Sequence, residues 1–222
     1  MRLLYHTPLS PFCRKIRMLL REKGLEFELV SENPWDRNLE FFALNPAGEV
    51  PVLIEETGVI ISGAYAIGEY LEDIYPVHMI GQDATTRAEV RRLIDWFDHK
   101  FDFEVTQNIL FEKVFKQHYM QGGGPNPAAI RAGSQNILYH LDYIGYLARE
   151  RYFLAGENLT LADLSAAAHL SALDYLGDVP WEYNASARDW YALMKSRPSL
   201  RCILAERVHG VRPPAYYENP DF

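Results

Sequence analysis

Ser10-Pro11-Phe12-Cys13-Arg14-Lys15 puts a hydroxyl, a thiol and two cations within six residues, just after the breaker Pro8-Leu9. Pro11 fits the first turn of a helix, where its missing N–H costs nothing. Ser10 then stands just ahead of that helix, at an end whose dipole favours an anion. The same position suits Ser10 as a plain helix cap. Cys13 would be a nucleophile only as thiolate. It shares a face with Ile16, Leu19 and Leu20, so it reads as a small packed side chain.

Other chemistry is sparse. His6, His78, His99, His118, His140, His169 and His209 are scattered without metal-ligand spacing. His140 and His169 fall in apolar helical stretches and read as hydrogen-bonded core residues. Asp95, Asp98, Asp102 and Glu104 lie close together among Arg91, Arg92 and Lys100, and read as a solvated or dimer-facing polar stripe. The glycines in Gln121-Gly122-Gly123-Gly124-Pro125 precede no Lys-Ser/Thr, so they form a turn and not a phosphate cradle. Thr160 with Asp163 is spaced as a capping box.

These residues need elements to hold them. Residues 1–77 read as an α/β unit: strand Arg2–His6, a helix from Pro11 to Lys23 stopped by Gly24, and strands at Leu25–Val30, Val50–Glu55 and Gly58–Ile61. Helix Ala64–Tyr75 closes the unit, and the last two strands form a hairpin about Glu56-Thr57-Gly58. Residues 78–85 read as a linker and residues 86–206 as an all-helical domain. Its first run keeps Val90, Leu93, Phe97, Phe101 and Val105 on one face to about His118, long enough to predict a kink or break. The helix after Thr160 is apolar all round and predicts a buried centre. Residues 207–222 have no period and read as a tail.

Composition narrows the class. A chain of 222 residues, 48% hydrophobic, can bury a sizeable core, and disorder does not describe it. The net charge of -8 argues against nonspecific nucleic-acid binding. No apolar stretch reaches spanning length, so membrane insertion is not expected. Cys13 and Cys202 cannot build a disulfide framework and suit a reducing compartment, and the opening is too short in apolar residues for a signal peptide. The expectation is a soluble cytoplasmic protein.

Three segments carry a resemblance across essentially the whole chain: Leu9–Lys15, Asn45-Pro46-Ala47-Gly48-Glu49-Val50-Pro51-Val52-Leu53, and Leu159-Thr160-Leu161-Ala162-Asp163. The chain resembles the cytosolic glutathione transferases. That resemblance implies a thioredoxin-like N-terminal domain followed by an all-α domain, with a cis bond between Val50 and Pro51. It also implies a glutathione pocket at Ser10, Val50, Pro51, Gly63 and Ala64, with the Ser10 hydroxyl beside the thiolate. Members usually carry an acid–serine pair where Gly63 and Ala64 stand here; Ser62 replaces the serine only after a register shift. Each missing charge-assisted hydrogen bond removes roughly 1.5–3 kcal/mol, so the pocket reads as vestigial and no cofactor is expected. The competing expectation is a transferase or thiol reductase that uses Ser10.

Within that superfamily the opening Met1–Lys15, the stretches Tyr139–Gly145 and His169–Tyr175, and the ending Pro213–Phe222 resemble the FtsZ-binding, transferase-like branch of alphaproteobacterial cell division. This resemblance implies a non-catalytic homodimeric adaptor that binds FtsZ filaments at the division site and promotes constriction. Candidate partner anchors are Trp35 in the connection after the second strand and Tyr216, Tyr217, Asp221 and Phe222 in the tail, which Pro213-Pro214 stiffens. Tyr217 and its neighbours fold over their own domain in the alternative reading. Arg14, Lys15, Arg17 and Arg21 read as an exposed basic patch.

Overall fold

The structure, a computed structural model, describes residues 1–120 and 123–219. It divides into two compact units, Met1–His78 and Met79–Phe222.

The first unit is built on a sheet of order β2-β1-β3-β4. Strands β1 (Arg2–His6) and β2 (Phe27–Ser31) run parallel, β3 (Val52–Ile54) runs antiparallel to β1, and β4 (Ile60–Ser62) returns as its hairpin partner. A parallel pair needs a crossover, and helix α1 (Pro11–Glu22) supplies it. Gly24 (φ +69°) ends α1 as the sequence predicts, its N–H reaching the Arg21 carbonyl at 3.0 Å. The hairpin turns at Gly58 (φ +84°). Helix α2 (Leu39–Leu44) and the turn Pro34–Asp36 lie between β2 and β3, where the sequence showed no element, and α3 (Ala64–Ile74) closes the unit. A buried clasp joins the far ends of α1 and α3: Lys23 Nζ lies 2.9 Å from Glu72, with both side chains almost wholly covered.

The second unit begins with α4 (Ala84–Asp95), capped by Asp83, whose carboxylate accepts from the Thr85 and Thr86 amides at 2.9 and 3.0 Å. The predicted run does not break but changes its winding. Asp95 and Trp96 are both helical, and the chain continues as a wider, π-wound helix over Trp96–Tyr119, ending with Met120 N–H on the Phe115 carbonyl, five residues back. Its buried Phe97, Phe101, Val105 and Ile109 step by four, the spacing that this winding keeps on one side. Helix α5 (Pro127–Glu150) packs along it, and Gly133 makes the approach close: a Cβ there would stand 2.7 Å from Ile109.

Helix α6 (Leu161–Asp174) is the centre the sequence predicts, with all fourteen residues buried. Asp163 is its anchor. One oxygen accepts from the Thr160 amide and hydroxyl at 2.9 Å each, and the other accepts from the Leu154 amide at 2.8 Å and the Trp190 indole at 3.2 Å. Helices α7 (Ala185–Ser196) and α8 (Pro198–Leu204) complete the unit.

The acidic stripe on the wide helix divides instead of facing solvent together. Asp95 is exposed and pairs with His99, whereas Asp98 and Asp102 turn inward beside buried His169, at 3.8 and 3.9 Å from its ring nitrogens. Thr106 Oγ1 lies 2.9 Å from His169 Nδ1. His140 is also a core residue. The Trp96 indole donates to its Nδ1 at 3.1 Å, so its proton sits on Nε2, 3.0 Å from Glu104. Burial outweighs the carboxylate and pushes the imidazole down to about 4.

A neutral histidine whose folded pKa lies below its unfolded value contributes stability above about pH 6.5, and that contribution is lost as pH falls towards 4. Urea unfolding at pH 7 and pH 4.5 should therefore show a smaller acid loss for His140→Gln than for the parent chain. An identical pH dependence in the two proteins would contradict this assignment.

Candidate functional site

In the first unit, two helix N-termini and the turn before β3 provide the residues with possible chemistry. Leu9 holds φ +65°, a left-handed conformation that a branched residue adopts only at a cost, while its side chain is fully buried. That turn sets Ser10 as the N-cap of α1. Its Oγ accepts from the Cys13 amide at 3.4 Å, and its own N–H reaches the Thr7 carbonyl at 3.2 Å. The capping role is thus filled, and the hydroxyl also interacts with the Cys13 sulfur. Ser10 itself is 8% exposed.

Cys13 is fully buried, as its position on the apolar face of α1 predicts. Burial pushes its thiol up to about 11, against smaller opposing pulls from Ser10, the Thr7 backbone and Arg17. At neutral pH it is a protonated packing group and not a nucleophile. The expected basic patch does not form either. Arg14, Lys15 and Arg17 are all buried, and of the four cations only Arg21 is exposed.

The Val50–Pro51 bond is cis, and the Pro51 carbonyl accepts from the Gly63 amide at 3.0 Å, joining the turn before β3 to the start of α3. Gly63 is the N-cap of α3 with φ +88° and ψ 138°, a conformation open to glycine and strained for other residues. No side chain caps this helix end, and nothing stands within 4 Å of where a Gly63 Cβ would point. Ala64 follows, almost covered. The end of α3 therefore offers backbone N–H groups and the helix dipole, but no hydroxyl or carboxylate from residues 63 and 64.

Trp35 is half-buried in the turn Pro34–Asp36, where its amide donates to Asn33 Oδ1 at 3.2 Å. In the second unit the tail folds onto its own helices. Tyr217 is fully buried, edge-on to Tyr175 with ring centres 5.1 Å apart, so it presents no exposed anchor. The Tyr175 hydroxyl donates to the Val211 carbonyl at 3.0 Å and accepts from the Val208 amide at 2.8 Å. The buried amine of Lys195 donates to the Tyr216 carbonyl at 3.2 Å. Tyr216 is half-buried, and burial raises its phenol to about 12. Asp221 and Phe222 lie outside the described residues. The signal for this latch was the aromatic pair Tyr175 and Tyr217, which sequence spacing alone does not bring together.

Among the described residues no three His, Cys, Asp or Glu side chains are grouped to hold a metal ion, and no helix is long and apolar enough to cross a membrane.

A four-stranded mixed sheet with a cis proline before its third strand, followed by an all-helical unit, defines a thioredoxin-like domain joined to a helical bundle. Residues 9–74 match the family model for the glutathione S-transferase N-terminal domain. The chain is 44% identical to FtsZ-localized protein A of Caulobacter vibrioides, over 100% of its own length and 98% of the relative's. Among solved structures it is similar to a glutathione S-transferase from Rhodospirillum rubrum (52% identity, TM-score 0.98, 100% of both chains). It is also similar to FzlA from C. crescentus (44% identity, TM-score 0.94, 100% of this chain and 99% of that one). The chain belongs to the glutathione S-transferase family.

The two thiols give a direct check on the site. Cys202 is exposed and Cys13 buried. Native protein should release one equivalent of thionitrobenzoate from Ellman's reagent quickly at pH 8 and the second only after denaturation. Two fast equivalents would mean that Cys13 is accessible and ionisable.

Proposed function

We propose that this protein is a non-catalytic adaptor that binds FtsZ polymers as a homodimer in the cytoplasm, at the division site, and promotes constriction. The observation that carries this reading is the 44% identity, end to end, with FtsZ-localized protein A. The start of α3 supports it from another side, since Gly63 and Ala64 offer a peptide ligand no side-chain polar group. A pocket without two charge-assisted hydrogen bonds binds its ligand more weakly by orders of magnitude.

Self-association is supported by an exposed aromatic row. Tyr139 and Tyr146 on α5 are 57% and 53% exposed, Tyr143 lies between them, and Phe103 on the wide helix is 77% exposed. Clustered exposed aromatics mark interaction surfaces. A dimer doubles every filament contact and gains from multivalency. Trp35 is the first-choice filament anchor because it is partly exposed, large and held in a short turn. Tyr216 and the end of the tail, Asp221 and Phe222, are secondary candidates.

A second reading, a glutathione-dependent transferase or reductase, is favoured by one observation: the Ser10 hydroxyl stands at a helix N-terminus, whose dipole favours an anion such as a thiolate. It predicts retention on immobilised glutathione and a large rate loss in Ser10→Ala.

Co-sedimentation with FtsZ assembled in GTP separates the two. The parent chain and Ser10→Ala should pellet equally with polymer at micromolar concentration, and Trp35→Ala should pellet several-fold less. Failure of the parent chain to pellet at low salt would remove the adaptor reading.

A further inference from the structure

The basic residues of this acidic chain are unevenly placed. Between Arg197 and Arg212 stand four arginines, Arg197, Arg201, Arg207 and Arg212, against the single carboxylate of Glu206. The last two arginines line a surface cavity of about 820 Å³, walled by Val208, Gly210, Val211, the Pro213-Pro214 step, Ala215 and Glu218. Arg207 is already engaged by Glu218 across this cavity. Arg212 is exposed and forms no ion pair or side-chain hydrogen bond among the described residues. Among the described residues, the groove thus holds one cation with no paired carboxylate.

Its walls are set in place beforehand. The Val208↔Val211 bridge closes one side, with the Tyr175 hydroxyl holding both residues of that bridge. Buried Tyr217 and the Lys195 bond to the Tyr216 carbonyl fix the other end. Between these anchors Pro213-Pro214 has fixed φ angles and no amide protons to satisfy. A groove of this size and rigidity loses little conformational freedom when a ligand enters it. Its lining mixes short apolar surface with a guanidinium, which suits an extended chain carrying carboxylates.

We infer that the groove formed by Arg207–Glu218 binds an extended acidic peptide segment of a protein partner, with Arg212 as the residue that pairs with its carboxylate. The site goes beyond the FtsZ reading and does not rest on it. Charge decides the occupant: a chain of net charge -8 repels acidic ligands generally, so an acidic peptide is held only where cations gather. A basic or purely apolar peptide would leave Arg212 without a partner.

The test uses the full-length protein and a fluorescein-labelled decapeptide of alternating Asp-Pro and Glu-Pro steps, read by fluorescence anisotropy at low salt. The parent chain should bind it saturably, and Arg212→Glu should weaken binding by at least about tenfold, the scale of one charge-assisted pair. Arg131→Glu makes the same charge change at an exposed position on α5 and should leave binding within about twofold, as for a surface charge. The matching Lys-Pro peptide should bind Arg212→Glu better than the parent. Both variants should keep the parent's circular dichroism and melting temperature, since both positions are exposed. Absence of binding to the parent chain, equal weakening in the two variants, or unchanged binding in Arg212→Glu would each overturn the assignment. FtsZ pelleting by Arg212→Glu is read separately, so that this site and the adaptor reading fail independently.

Discussion

The helical unit depends on a single buried carboxylate. Asp163 is fully covered, and burial alone would expel its charge. Four donors surround it, and they come from three places in the chain: the loop at Leu154, the cap at Thr160 and helix α7 at Trp190. The group therefore starts α6 and also fixes what lies beside its first turn. Around that start, the alanines of α6 let neighbouring helices approach closely, and Gly145 does the same where α5 meets Asn184, whose side chain would stand 2.3 Å from an added Cβ. The tail is then laid over a preset surface through Tyr175, Tyr217 and Lys195.

The first unit is under a different constraint. Its backbone holds a cis proline, a carbonyl tied to Gly63, and a start of α3 that no side chain caps. Gly63 holds a left-handed conformation with space around it, and Ala64 adds a methyl group. Cys13, the one thiol near the site, is buried and protonated. The fold is that of the family, while residues 63 and 64 carry no hydroxyl or carboxylate. This combination supports the binding platform that we propose.

Much of this was legible in the residues. Pro11 and Gly24 marked the ends of α1, the Thr160–Asp163 spacing marked the start of α6, and its unbroken apolar run marked the centre of the bundle. These are local signals, set by capping and burial within a few residues. The failures share a cause. Arg14, Lys15 and Arg17 looked solvated because periodicity shows which residues share a face but not whether that face is covered. Asp98 and Asp102 looked like a surface stripe because their partner, His169, lies far along the chain. The winding of Trp96–Tyr119 left a trace in the repeated steps of four from Phe97 to Ile109, which also fit an ordinary helical face and so did not distinguish the wider winding. Tyr217 looked available because nothing near it in sequence indicates the ring of Tyr175.

The central claim is that the pocket at Ser10, Pro51, Gly63 and Ala64 no longer holds glutathione well enough to serve catalysis. Isothermal titration of reduced glutathione into the full-length protein at pH 7.5 tests it most directly. The account predicts no saturable heat up to millimolar ligand, and none recovered by raising protein concentration. A stoichiometric isotherm with micromolar affinity, abolished by Ser10→Ala, would contradict it.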